Sequence, residues 1–164
     1  MKNTVQIYGL PRSGTNFLEW TLKEYFKDIK YENFYEKCDV EKLNIFNKTV
    51  AIKHTYPSFK FSDKIIVIYK DFNKWNKSYR KWSNKDGIME IWENYLNKSK
   101  ELNSENCIII SHDELYRNYK NSINLFSKKF NLEVNEKEIL LPKNRFNKGG
   151  SKAKPIIQEI YKYE

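Results

Sequence analysis

The residues from Tyr8 to Asn16, YGLPRSGTN, are spaced for holding phosphate. A helix that starts directly behind a buried strand offers unpaired N–H groups and the positive end of a dipole, and glycine lets the backbone between them wrap an anion. Gly9 and Gly14 stand at the separation of the two glycines in G-x-x-x-x-G-K-[ST], the phosphate loop of nucleotide hydrolases. Thr15 occupies the place of the lysine that reaches the outer phosphates of a triphosphate, so triphosphate chemistry loses its main cation. The cation here is Arg12, placed ahead of the second glycine. The thiols point elsewhere. Cys38 and Cys107 lack the spacing of a metal site or a redox pair, and Cys107 opens the apolar run CIIIS, where a thiol behaves as a small buried hydrophobe.

Four runs rich in β-branched and aromatic residues read as strands: Thr4–Tyr8, Thr49–Lys53, Lys64–Tyr69 and Cys107–Ser111. The last two are apolar nearly throughout, which predicts burial on both faces. Helical periodicity covers 17–30, where Leu18, Leu22, Tyr25 and Phe26 share a face, and 86–102, marked by Ile88, Trp92, Tyr95 and Leu96. Trp75, Tyr79 and Trp82 form a third stripe, and Leu115, Tyr119, Ile123, Phe126 and Phe130 predict one helix over 113–130, capped by Ser111 or Asp113. Parallel neighbours need crossover connections, so this alternation predicts an α/β fold: a three-layer α/β/α arrangement with a mostly parallel central sheet and a P-loop-like phosphate-binding loop after the first strand. Ligands then bind beyond the carboxyl ends of the strands. The segment LPKNRFNKGGSKAKP, 141–155, reads as an extended loop, and the expected organisation is a single domain over 1–164.

The formal charge of +9 favours an anionic partner, with nucleotide, nucleic acid and acidic or sulfated glycan all eligible. Only four of the 30 basic residues are arginine (Arg12, Arg80, Arg117, Arg145), so a lysine-coated, solvated surface accounts for much of that charge. The N-terminal MKNTVQIYG carries one charge and no long apolar stretch, and the expectation is a cytoplasmic protein without signal peptide or membrane span.

The run Pro11-Arg12-Ser13-Gly14-Thr15 resembles the Pro-[Lys/Arg]-Ser-Gly-Thr loop that follows the first strand in sulfotransferases using 3′-phosphoadenosine 5′-phosphosulfate (PAPS). The resemblance implies that Ser13, Gly14, Thr15 and Asn16 hold the 5′-phosphosulfate and that Arg12 neutralises charge on the phosphate leaving group. It extends to KIIVIY followed by KDFNKWNKS. There Lys70 stands at the family's 3′-phosphate arginine, and Ser78, eight residues on, stands at its 3′-phosphate serine. Lysine is a point charge and lacks the bidentate grip of arginine, so a difference in affinity or geometry at that phosphate is expected. CIIIS followed by HDELYRN is similar to the family's strand and following helix, with His112 in place of a tyrosine that approaches adenine. Phe17 falls at an aromatic position that either stacks on adenine or fills the core. Lys148 and Gly149 match a C-terminal Arg-Lys-Gly segment over the 3′-phosphate, Asn147 replaces its arginine, and Arg145 is the nearby substitute.

For the acceptor proton, IKHTYP resembles the family's Lys-Thr-His-x-Pro segment, implying His54 as general base and Lys53 as a contact to the sulfuryl group. His54 comes one residue earlier than the family's histidine, a slip that reverses side-chain direction in a strand unless the strand end bends. Glu19 on the first helix is the reserve base, or else a solvated helix charge. The resulting expectation is sulfuryl transfer from PAPS, without a required metal, to a hydroxyl or amine of a glycan or small molecule. The chain's 12 Tyr, 10 Phe and 4 Trp supply stacking surfaces for such an acceptor. The chain is short for the family, which predicts missing acceptor-binding insertions and an open acceptor site, and nucleic acid is not the expected partner. Two other readings stay open: a basic nucleotide- or RNA-binding protein without transfer, and a phosphoryl-transfer enzyme with Asp71 near a strand end.

Overall fold

The computed structural model describes residues 4–27, 29–33, 50–54, 64–102, 105–146 and 155–160. β1 (Thr4–Tyr8) leads through the glycine loop into α1 (Thr15–Tyr25), and β2 (Lys30–Asn33), β3 (Val50–His54) and β4 (Lys64–Tyr69) follow. Then come α2 (Phe72–Ser83), α3 (Met89–Glu101), β5 (Cys107–Ser111), α4 (His112–Arg117), α5 (Tyr119–Phe130), β6 (Leu140–Phe146) and β7 (Pro155–Ile160). β1 to β5 form one sheet in the order β2-β3-β1-β4-β5 with every pairing parallel. The α/β architecture expected from the alternation of elements is therefore present.

Side chains alternate across the sheet and divide the core in two. On one side Val5, Ile7, Ile66, Ile68, Ile108 and Ile110 pack against α1, α4 and α5. On the other, Tyr8, Ile65, Val67 and Cys107 pack against Trp75 of α2 and Tyr95 of α3. These are the three layers. β4 lies inside the sheet, and Ile65 to Ile68 are wholly buried, each such side chain contributing about 1.5–3 kcal/mol over the exposed state. β5 departs from the expectation of burial on both faces: Ile109 is 42% exposed. β5 is an edge strand, and the α2–α3 layer covers Cys107 but leaves Ile109 open.

Other differences have local causes. The helix expected over 113–130 is two helices, parted at Asn118, whose φ of −111° and ψ of 42° are not helical. Its side-chain amide donates to Glu114 Oε1 at 2.6 Å, the local bonding by which asparagine competes with helix continuation. Ser111, not Asp113, caps α4, accepting from the Glu114 N–H at 3.0 Å. The tail is not an extended loop throughout: Leu140–Phe146 pairs antiparallel with Pro155–Ile160. Pro142 hid this strand, because proline donates nothing to a ladder; the pairing register shifts on either side of it, which a two-stranded sheet made only of edges tolerates. Tyr25 of α1 anchors the tail, its hydroxyl donating to the Leu140 carbonyl at 3.0 Å and accepting from the Leu140 N–H at 2.9 Å.

Candidate functional site

The loop after β1 is shaped by two residues in the left-handed region, Arg12 (φ 71°) and Gly14 (φ 108°). For arginine this conformation is uncommon and costs energy, so the surrounding contacts must hold it. Two of them are visible: the Ser13 N–H donates to the Leu10 carbonyl at 3.0 Å, and the buried Trp75 indole of α2 donates to the Pro11 carbonyl at 2.9 Å. The Gly14 carbonyl then starts α1, accepting from Phe17 and Leu18 at 3.0 and 3.1 Å. Among the described residues the N–H groups of Gly14 and Thr15 meet no backbone acceptor, leaving donors at the helix N-terminus.

Ser13 is 1% exposed, and its hydroxyl has no hydrogen-bond partner among the described residues. Thr15 is buried beside it, while Asn16 is half-buried and Arg12 exposed. A buried polar group without a partner is costly unless something supplies one, and an anion in this loop would do so. Gly9 makes the closure possible: a Cβ there would sit 2.2 Å from Thr15 Cγ2 and 2.7 Å from Ser13 Oγ. Gly9→Ala is accordingly expected to destabilise the chain by about 1–3 kcal/mol, the range for overpacking, and to weaken anion binding. Denaturant unfolding checks this, and an unchanged midpoint would show that Ser13 and Thr15 simply give way.

Strand order brings the other candidates to the same edge. β1 lies between β3 and β4, so the loop is flanked by the carboxyl ends of both. Lys53 and His54 are in register with Ile7 and Tyr8, and His54 is the last residue of β3. Neighbouring strands run about 4.8 Å apart, which places the His54 backbone beside the start of the loop. On the opposite flank Lys70 follows β4, its carbonyl accepting from the Trp92 indole at 2.8 Å. Burial pushes the Lys70 ammonium below its ordinary value of 10.5, and the nearby Arg12 charge adds to that, with Asp113 and Asp71 pulling the other way. Between the lowered value and the ordinary one the folded chain carries fewer protons than the unfolded chain, so stability rises with pH in that window. A phosphate placed against Lys70 would offset the burial and the repulsion from Arg12.

α2 starts on a cap, the Asp71 carboxylate accepting from the Lys74 N–H at 3.0 Å, and it carries Ser78 half-buried about two turns after that cap, at about 3.6 residues per turn. Lys74 bridges Asp71, at 3.7 Å, and Asp113 at the head of α4, an ion pair that holds the Asp113 carboxyl below the usual range. Both carboxylates near Lys70 are thus engaged by Lys74. Sequence reading did not register this bridge, nor the two indole anchors of the loop and of Lys70. A usable signal existed for the anchors, since a buried tryptophan N–H needs an acceptor.

Three other candidates are packed into the interior. Phe17 is 3% exposed and stacks on Tyr119 at 5.4 Å, the packing of its core alternative. His112 is buried against Gly14 and lies 5.5 Å from the Phe17 ring and 6.4 Å from the Tyr116 ring. Glu19 is not a solvated helix charge: it is 3% exposed, with Lys23 Nζ 3.7 Å from its Oε1. Arg145 falls on β6, while Cys38, Asn147, Lys148 and Gly149 lie outside the described residues. Among the described residues no cluster of metal-ligating side chains occurs, and no helix is long and apolar enough to cross a membrane.

No protein-family model and no curated protein matches the sequence. Among solved structures, the fold is similar to that of mouse sulfotransferase SULT7A1, crystallised in complex with PAP, with a TM-score of 0.67 and 15% identity over 83% of this chain. The chain spans 61% of the length of that protein. The likeness establishes a sulfotransferase-like fold.

Proposed function

We propose that this chain is a PAPS-dependent sulfotransferase acting on a hydroxyl or amine acceptor. The observation that carries the reading is the convergence, at adjacent carboxyl ends of β3, β1 and β4, of His54, the Arg12–Asn16 loop and Lys70. The loop residues Ser13, Gly14, Thr15 and Asn16 would hold the 5′-phosphosulfate through N–H and hydroxyl groups. Lys70 and Ser78 would hold the 3′-phosphate, with Arg145, Lys148 and Gly149 as further contacts from the C-terminal region. The bound nucleotide supplies an activated sulfuryl group. An acceptor oxygen or nitrogen attacks the sulfur, the bond from sulfur to the bridging oxygen breaks, and its electron pair stays on the phosphate, giving 3′-phosphoadenosine 5′-phosphate (PAP). His54 takes the acceptor proton, Arg12 stabilises charge on the departing oxygen, and Lys53 contacts the transferred group.

The likeness to a sulfotransferase crystallised with PAP supports this reading. Phosphoryl transfer has less support, because Asp71 is used as the α2 cap and as a partner of Lys74.

Calorimetry with PAP, AMP, ATP and a short RNA separates the readings. PAP is expected to bind far more tightly than AMP, because Lys70 and Ser78 read the additional phosphate. Equal affinities for PAP and AMP would remove the basis for the assignment. Lys70→Ala is expected to cost about 1.5–3 kcal/mol of PAP binding, the range for a hydrogen bond to a charged group. The affinity of the unmodified chain should fall as pH rises through the lowered Lys70 value, where the ammonium is lost. A dissociation constant unaffected by either change would place the 3′ site elsewhere.

A further inference from the structure

α2 has a second face that the proposed nucleotide contacts leave unused. The helix carries Lys74, Lys77, Arg80 and Lys81 and no acidic residue. Asn73, Asn76, Lys77, Arg80 and Lys81 recur at helical spacing and line a shallow, solvent-open hollow of about 400 Å³. At about 3.6 residues per turn this row lies opposite the buried Trp75 and roughly a third of a turn from Ser78. It is therefore a separate surface of the helix that follows Lys70.

We infer that this hollow seats an acidic segment of the acceptor, a glycan chain bearing carboxylate or sulfate groups; the acceptor role rests on the transfer reaction proposed above. Among the described residues the lining carries no acidic side chain. It has three cations and two amides, and the Asn76 carbonyl oxygen is already taken by the Gly87 N–H at 2.6 Å, so that this amide offers its NH₂. The Arg80 guanidinium lies 3.6 Å from Asp86, with both side chains about 70% exposed, a pairing weak enough for an anionic ligand to compete with. A planar guanidinium also matches carboxylate and sulfate oxygens in pairs.

The same lining selects against other ligands. No aromatic side chain contributes to it among the described residues, and its apolar surface is that of the lysine and arginine stems. Single-stranded RNA sites combine cations with aromatic platforms for the bases, and this hollow has only the cations. α2 is about 18 Å long, so a ligand that occupies this row and also reaches the strand ends is a chain rather than a single sugar.

The test is calorimetry with a chondroitin sulfate hexasaccharide, uncharged maltohexaose, a short single-stranded RNA and PAP. The comparison is between the natural chain and the triple variant Lys77→Ala/Arg80→Ala/Lys81→Ala, whose melting temperature verifies folding. The sulfated hexasaccharide is expected to bind and maltohexaose not to. The triple variant should lose about tenfold or more in hexasaccharide affinity, and its dependence of log K on log salt should be shallower by about two. PAP affinity should be the same in both proteins. Absent hexasaccharide binding, comparable binding of maltohexaose, tighter binding of RNA or an unaffected triple variant would each overturn the inference. Failure of PAP to bind the natural chain would sink the transfer reaction. Hexasaccharide binding by a chain that fails to bind PAP would overturn the acceptor role.

Discussion

Arg12→Ala is expected to lower turnover at saturating nucleotide by about 100- to 1,000-fold, the loss seen when one donor to a developing oxyanion is removed. Nucleotide affinity should fall much less, because the Gly14 and Thr15 N–H groups and the Ser13 hydroxyl belong to the loop and survive the substitution. The charge counts most when the bridging oxygen becomes negative, which makes the effect one on the transition state. Backbone strain must be separated from charge, since Arg12 has a φ of 71° that alanine tolerates poorly. Arg12→Gly provides the control: glycine accepts that conformation, so it should melt higher than the alanine variant yet lose the same turnover. Steady-state kinetics on both variants decides the matter. If affinity falls and turnover at saturation survives, Arg12 binds the nucleotide without assisting departure of the phosphate.

The second large effect is expected at His54. His54→Ala should reduce transfer to an alcohol by about 100- to 10,000-fold, the contribution of a positioned acid or base, while PAP binding is retained. The reason is positional: the base meets the acceptor proton and not the phosphates. A general base must be neutral to act, so on this proposal activity of the unmodified chain should rise with pH through the histidine range, and the variant should lack that limb. Transfer of label from PAPS to simple sugars, glycans and phenols identifies a usable acceptor first. Full activity in the variant would turn attention to Glu19. There the test is Glu19→Gln, and the residue's burial beside Lys23 makes its access to an acceptor the first thing to establish.

Much of the local structure was legible from the chain. β1, β4 and β5 begin and end where their apolar runs do; β1 and β4 lie inside the parallel sheet and need apolar side chains for both faces, whereas β5 keeps the same pattern at the edge with Ile109 exposed. The loop was legible for a similar reason. Glycines at both ends of a strand-to-helix turn have few uses, and Gly9 and Gly14 are required here by close packing and a positive φ. β2 was not legible: KYEN is four residues of mixed polarity, defined as a strand only by pairing with β3. β6 was masked by Pro142, and the break at Asn118 was hidden by an apolar period that continues through both helices.

The sequence by itself determined the glycine loop after β1 and the alternation of strand and helix, both of which are written in the spacing of nearby residues. Helix ends moved by up to five residues, and the start at Tyr119 was missed. Only the tertiary structure decided which of the chemical candidates stand together. The insertion of β1 between β3 and β4 sets Lys53 and His54 on one flank of the loop and Lys70 on the other, and nothing in the spacing of those segments specifies that order. Helical spacing leaves open whether Glu19 faces solvent or whether Phe17 and His112 stay at the surface. Their burial follows from α1 and α4 packing on the same face of the sheet. Lys70 shows the same division. Its type and distance from Ser78 are written in the chain, whereas its lowered affinity for a proton arises from burial and from Arg12, 58 positions earlier in sequence, brought near by the fold.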